Sequence, residues 1–364
     1  MKNIKKKIAI ARGDGIGPEV VAEGIKIMKI LENFSDYHFE FIETPLGGQV
    51  LKDTGTNLPQ KSFDQMKNSD AILFGAVGLP DLPLGAAESA ISKIRQGLDL
   101  YVNLRPIKLY DSLRDKCPLK EEYIQNGINM TIIRENTEGL YAKIGAEVSK
   151  DSVINKMIYT RKSVERIIKF GFEYAEKKGH SEIISVDKAN LLECSQFWRN
   201  IFQDIGKNYK KINQRNFFID SFCQWLIREP YSVQTVVTEN MFGDIISDEA
   251  AYLIGSLGMA ASGNICPGKV SMYEPIHGSA PDIAGKGIAN PIGTILSVKL
   301  MMEESFGDKI YGNLIEKAIE LSLELGRTID ILPKNDLRKG KLKTLTTNGM
   351  GDLISQHFQT LLKK

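Results

Sequence analysis

Short apolar runs closed by Gly, Asp or Asn alternate with stretches of helical spacing, and this alternation limits the fold more than any other feature. The runs are Ile8–Ala11, Ala71–Val77, Met130–Ile133, Ile183–Val186, Phe217–Ile219 and Val236–Val237. Their continuous apolarity predicts strands covered on both faces. Between them, Val21, Ile25 and Met28 follow Pro18 at i, i+4 and i+7, and Val164, Ile167, Ile168 and Ala175 share a face before Gly179. Strands alternating with helices predict the α/β class with a largely parallel sheet. Residues 142–162 read differently: Gly145, then alternating Val148 and Val153, then Met157–Thr160 predict a β-hairpin arm, and Asp330–Lys343 predicts a solvated, basic loop.

At 364 residues the chain exceeds the ~150 expected of one domain and predicts two or three. Hydrophobic residues at 42% and charged residues at 25% supply an ordinary core. Lys and Arg number 47 against 45 Asp and Glu, a net charge of +2, which excludes the electrostatics of nucleic-acid or anionic-membrane binding and leaves a small-molecule function. Lys2, Lys5, Lys6 and Lys7 precede only Ile8–Ala11, a strand rather than a signal-peptide core, and no run of 18 apolar residues follows. Cys117, Cys194, Cys223 and Cys266 form neither a CxxC pair nor a disulfide framework. Buried free thiols in a reducing, cytoplasmic setting are expected.

The 32 glycines, above the average share of about 7%, cluster first at Gly13-Asp14-Gly15-Ile16-Gly17-Pro18-Glu19, between the first strand and the first helix. Freed backbone amides there suit an anionic ligand, and a plain tight turn accounts for them equally well. The spacing is not GxGxxG, so a Rossmann site is unsupported. Asp244 and Asp248, four apart in Thr238–Asp248, share a helix face and repel unless a cation lies between them. Oxygen-only ligands, with Asp220 a possible third, favour Mg²⁺ or Mn²⁺; the plainer reading is a solvated helix face. Arg95, Arg105 and Arg134 suit a polycarboxylate substrate, although each alone is more often a structural ion pair. Tyr141 and Lys188 are candidate proton carriers, against ordinary packing roles. A long polar loop, His277–Pro291, leads into an apolar helix and is costly unless it binds something.

In this order, these segments resemble the β-decarboxylating dehydrogenase family, which includes isopropylmalate, isocitrate, homoisocitrate and tartrate/D-malate dehydrogenases. The resemblance runs from Gly13 to about Ser305. It implies two interleaved α/β domains around a mostly parallel sheet, not a Rossmann fold: residues 1–102 with 255–364 on the cofactor side, and 103–254 for substrate and dimerisation, including the arm. It implies oxidation of a 2-hydroxy acid by a nicotinamide cofactor, then loss of the β-carboxylate. Asp220, Asp244 and Asp248 would hold Mg²⁺ or Mn²⁺, and Arg95, Arg105 and Arg134 would clamp the substrate. Lys188 would take the hydroxyl proton and Tyr141 would protonate the enol. Lys188 and Asp220 would reach across a homodimer or a higher homo-oligomer. The implied cofactor contacts are Asn190, Glu274, His277, Gly278, Ser279, Ala280, Asp282, Ile283 and Asn290, and a carboxylate at Asp282 favours NAD over NADP.

For the substrate, Asp187–Glu193 with Phe197-Trp198-Arg199, and Gly285–Pro291, are similar to isopropylmalate enzymes. Asn136 and Glu138 instead resemble isocitrate, homoisocitrate and tartrate enzymes. The helix holding Glu88, Ile91 and Ser92 should meet the substrate's γ-group, and apolar Ile91 suits an alkyl group. 3-Isopropylmalate, and so leucine biosynthesis, is the favoured expectation, with tartrate/D-malate or homoisocitrate/isocitrate second. Regulatory subunits of this family would lack catalytic groups that are present here.

Overall fold

A computed structural model describes residues 4–333 and 342–364. The chain divides into two compact units, Met1–Leu98 with Tyr110–Lys116 and Gly255–Lys364, and Asp99–Leu109 with Cys117–Ile254.

In the first unit the strands lie in the order Tyr37–Glu43, Ile4–Gly13, Ala71–Ala76, Met272–Pro275, Ala261–Ile265. All neighbours are parallel except the last pair. Ile8–Ala11 and Ala71–Leu73 are wholly inaccessible to solvent, as continuous apolarity requires of strands covered on both faces. Helix Gly17–Phe34 follows the first strand, with Pro18 in its first turn where a missing N–H costs nothing. It buries Val20, Val21, Ile27 and Met28, and packs against helices Ile292–Leu300 and Thr347–Leu362.

In the second unit the order is Val102–Lys108, Asn129–Glu135, Thr235–Thr238, Glu182–Asp187, Asn213–Phe218, with only the first pair antiparallel. Helix Arg161–Lys178 begins where the Thr160 side chain accepts the Ser163 N–H at 3.2 Å and ends at Gly179, whose φ of +72° suits glycine. Its face packs with that of helix Glu193–Gly206, where Phe172 stacks on Phe202. The buried Trp198 donates to Ser185 Oγ at 3.1 Å.

Four expectations are corrected. The strand expected at Phe217–Ile219 ends at Phe218, and Ile219–Arg228 is a helix, because Phe222 and Leu226 bury on its inner face. Asp220 therefore lies in the first turn of a helix rather than at the end of a strand. The expected arm contains the antiparallel pair Glu147–Val148 and Val153–Ile154, but the Thr160 cap places 161–162 in the following helix. Of the expected loop Asp330–Lys343, Ile331 is buried in a 3-10 turn and Lys343–Thr344 pairs with Gly326–Arg327. Residues 334–341 of that loop lie outside the described residues, as does Lys2. All four cysteines are free thiols, but only Cys266 is buried, the others being half-buried. Among the described residues no helix is long and apolar enough to cross a membrane.

Candidate active site

In the second unit, the candidate site side chains gather at the carboxyl ends of parallel strands, where α/β sheets leave room for ligands. Arg134 ends the strand Asn129–Glu135, while Asn240 and Lys188 follow the strands Thr235–Thr238 and Glu182–Asp187. Asn103 and Arg134 are register partners, so Arg105, two residues along from Asn103, shares their face of the sheet. Helix Asn240–Leu253 lies against this face. A Cβ on Gly243 would come within 2.7 Å of Arg134 Cβ, so close approach requires glycine there.

Asp244 and Asp248 do share a helix face, and arginine sits between them. Arg105 donates to Asp248 Oδ1 at 3.3 Å, to Asp244 Oδ1 at 3.5 Å and to Ser247 Oγ. Arg134 donates to Asp244 Oδ1 through Nη1, and to Asn240 Oδ1 through Nε and Nη2. Burial pushes the Asp248 carboxyl above its ordinary value; the Arg105 guanidinium opposes this and Asp244 adds to it. The buried arginines thus face a carboxylate pair whose own repulsion favours added positive charge. Tyr141, in the turn Leu140–Ala142, has its ring 5.6 Å from the Arg134 guanidinium. Burial raises the Tyr141 hydroxyl and Asp244 adds to the effect, which keeps it a proton donor.

Lys188 pairs with Asp220, and that ion pair holds the Asp220 carboxyl below its usual range. Among the described residues no three acidic, His or Cys side chains come together as metal ligands, so within one chain Asp220 does not join Asp244 and Asp248. The turn carrying Lys188 is held from beneath. Asp187, fully buried, accepts from Arg199 at 2.8 and 2.9 Å and from the Ala189 N–H at 2.9 Å. Asn190 is exposed in the same turn.

In the first unit, Arg95 on helix Ser89–Gly97 donates to Glu274 Oε1 at 3.0 Å, which also accepts from Asn264 at 2.7 Å. Glu88 is exposed just before this helix rather than in it, Ile91 is half-buried and Ser92 is exposed. The His277–Pro291 loop and the Gly13–Gly17 turn meet directly. Ile16 N–H donates to Ser279 O at 2.8 Å, and Gly285 N–H to Glu19 at 3.3 Å. Ile283 packs on Ile16, Val20 and Ala289, while Asp282 stays exposed. Burial lowers the His277 imidazole, so it is neutral, with Nδ1 2.9 Å from Gly278 O. Ala280 takes a φ of +40°. Asn290 is occupied by the protein itself: it accepts the Ile292 N–H at 3.0 Å and donates to Asp330 at 3.1 Å.

Three N–H groups of the Gly13–Gly17 turn are already engaged by the protein. The N–H groups of Asp14, Ile16 and Gly17 all donate to protein carbonyls, and Asp14 adds a buried carboxylate. Sequence reasoning passes over Asp14, Asn240, Asp187 and Arg199 as functional side chains. The signal for the first two is a short polar residue at a strand-to-helix junction.

Residues 7–354 match the isocitrate/isopropylmalate dehydrogenase family. The chain is 45% identical to 3-isopropylmalate dehydrogenase of Aquifex aeolicus over 98% of both chains. It is 42% identical to that of Priestia megaterium over 91% of both. The solved isocitrate dehydrogenase of Methylococcus capsulatus superposes with a TM-score of 0.87 at 31% identity, covering 97% of this chain and 99% of that one. The chain belongs to the isocitrate/isopropylmalate dehydrogenase family and is a β-decarboxylating dehydrogenase.

Proposed function

We propose that the chain catalyses the NAD-dependent, Mg²⁺- or Mn²⁺-dependent oxidative decarboxylation of 3-isopropylmalate to 2-oxoisocaproate, a step of leucine biosynthesis. The observation that carries this is its likeness, over nearly its full length, to two relatives bearing the isopropylmalate name. Asn136 and Glu138, which resemble isocitrate-type enzymes, do not weigh against it, because both serve the scaffold. Asn136 donates to Leu100 O at 2.9 Å, and Glu138 accepts from Thr160 N–H and Oγ1 at 2.7 and 2.8 Å.

Asp244 and Asp248, an oxygen-only pair beside buried arginines, fit a hard divalent cation. Asp220 of a second copy in a homodimer would complete the set, and Lys188 would act in that copy's site too. Bound NAD⁺ supplies the hydride acceptor, and a bound divalent cation supplies the charge that steadies the enolate. Arg95, Arg105 and Arg134 grip the substrate carboxylates. Lys188 takes the hydroxyl proton as the carbinol is oxidised, and after CO₂ leaves, Tyr141 returns a proton to the enol carbon. Residues 1–102 with 255–364 carry the cofactor contacts other than Asn190, and 103–254 carry Asn190, the metal, the proton carriers and the dimer arm.

The test is NADH formation with Mn²⁺ on 3-isopropylmalate, D-malate, tartrate, isocitrate and homoisocitrate. The highest kcat/KM is expected on 3-isopropylmalate; turnover of none would overturn the reading.

A further inference from the structure

Asp14 is a buried carboxylate, 4% exposed, that the reaction above does not use. Its Oδ2 accepts from Gly48 N–H at 2.6 Å and from Gly78 N–H at 3.0 Å, and its Oδ1 from Gln49 N–H at 3.0 Å. Three segments distant in sequence therefore close on one side chain: the glycine turn, the start of helix Gly48–Thr54, and the loop after strand Ala71–Ala76. Three charge-assisted bonds compensate the burial of the carboxylate. Gly47, with a φ of +105°, leaves it room; a Cβ there would lie 2.6 Å from Oδ2.

What Asp14 holds is a wall between two proposed binding elements. Gly78 has a φ of +137°, and a Cβ on it would lie 2.9 Å from Glu88 Oε1 and 3.0 Å from Ser279 Oγ. Glu88 belongs to the proposed γ-pocket and Ser279 to the proposed cofactor loop. The same turn presses on that loop from its other end, because a Cβ on Gly15 would lie 2.0 Å from Ser279 O. Ser279 is thus held from both sides by backbone that Asp14 anchors.

We infer that Asp14 is a positioning residue that sets Glu88 and Ser279 against Gly78, and so couples selectivity for the substrate's γ-group to cofactor affinity. This rests on the function proposed above. Without the carboxylate the N–H groups of Gly48, Gln49 and Gly78 lose their acceptor, and the wall moves for both elements together.

The experiment compares Asp14→Ala and Asp14→Asn in the full chain with wild type and Tyr37→Leu. Tyr37 is a buried residue of the same unit that stacks on Phe39 and sits opposite Ile4, at the far end of the first strand from Gly13 and these loops. Measured are the melting temperature, the NADH dissociation constant by fluorescence, and the ratio of kcat/KM for 3-isopropylmalate over D-malate, which lacks a γ-group. Asp14→Ala should lower that ratio about tenfold and weaken NADH about tenfold. Asp14→Asn, which keeps one acceptor oxygen, should move both less and in the same direction. Tyr37→Leu should lower the melting temperature and move neither. Unchanged ratio and NADH affinity in folded Asp14 variants, or equal changes in Tyr37→Leu, would overturn the inference. If Asp14→Ala does not fold, Asp14→Asn decides. If wild type prefers another γ-substituted acid, only the substrate assignment fails: that acid enters the ratio, and NADH affinity, which needs no turnover, still decides.

Discussion

Asn240 Oδ1 accepts two hydrogen bonds from Arg134, from Nε at 3.0 Å and from Nη2 at 2.8 Å. The same amide donates to Glu138 O at 2.8 Å, and the Asn240 backbone N–H donates to Tyr159 OH at 2.9 Å. One residue at the start of the helix bearing Asp244 and Asp248 thus fixes the plane of the Arg134 guanidinium, and a bidentate grip depends on that plane.

Replacing Asn240 by Leu removes the acceptor at similar size. Misplacing a substrate clamp by about 1 Å costs on the order of 100-fold, so KM for the hydroxy acid should rise strongly while KM for NAD stays within about twofold. Asn240→Asp keeps the acceptor and should recover most of the loss. Steady-state kinetics with both substrates varied check this; an equal rise in the two KM values would contradict it.

Glu239, one residue earlier, is fully buried, accepts from Ser195 Oγ and leaves Oε2 without a partner. Burial pushes its carboxyl from 4.5 up to about 7, with Ser195 opposing and Asp187 adding. The folded protein therefore keeps a proton that the unfolded chain releases between those values. Stability from this group is full below the unfolded value, falls as pH rises toward 7, and is flat above, a loss of about 3 kcal/mol. Glu239→Gln does not ionise. Its melting temperature relative to wild type should climb by a few degrees between pH 5 and pH 8, and calorimetry at the two pH values showing one constant difference would refute this.

Asp282 is exposed while Ile283 packs beneath it on Ile16 and Val20. In the proposed cofactor site, a carboxylate there would accept from ribose hydroxyls and repel a 2′-phosphate. Asp282→Lys with Ile283→Tyr should move the NAD/NADP ratio of kcat/KM toward NADP by about tenfold or more. An unchanged ratio would defeat the argument.

The α/β alternation was legible because strands covered on both faces must be apolar throughout, as Ile8–Ala11 and Ala71–Leu73 are. The shared face of Asp244 and Asp248 was legible from helical spacing alone. What occupies the space between them was not, since Arg105 arrives from a strand some 140 residues away in sequence. Asp220 was misplaced because Phe217-Phe218-Ile219 satisfies a strand and a helix equally until the burial of Phe222 and Leu226 is known. Asp14 and Asn240 hold backbone or arginine donors contributed by other segments, and local pattern carries no trace of such partners.

The first unit is assembled from pieces at both ends of the chain. Its opening helix, Gly17–Phe34, packs on Ile292–Leu300 and Thr347–Leu362, and Met272–Pro275 pairs beside Ala71–Ala76. During synthesis, therefore, the first segment made leaves the ribosome without the strands and helices that bury its apolar faces. It must wait until the Gly255–Lys364 segment emerges, whereas every strand of the second unit lies between residues 99 and 254 and has emerged before it. Ile8–Ala11 and Ala71–Phe74, buried in the folded unit, therefore have an interval after synthesis in which nothing from Gly255–Lys364 covers them, and uncovered apolar strands are the ones prone to aggregate.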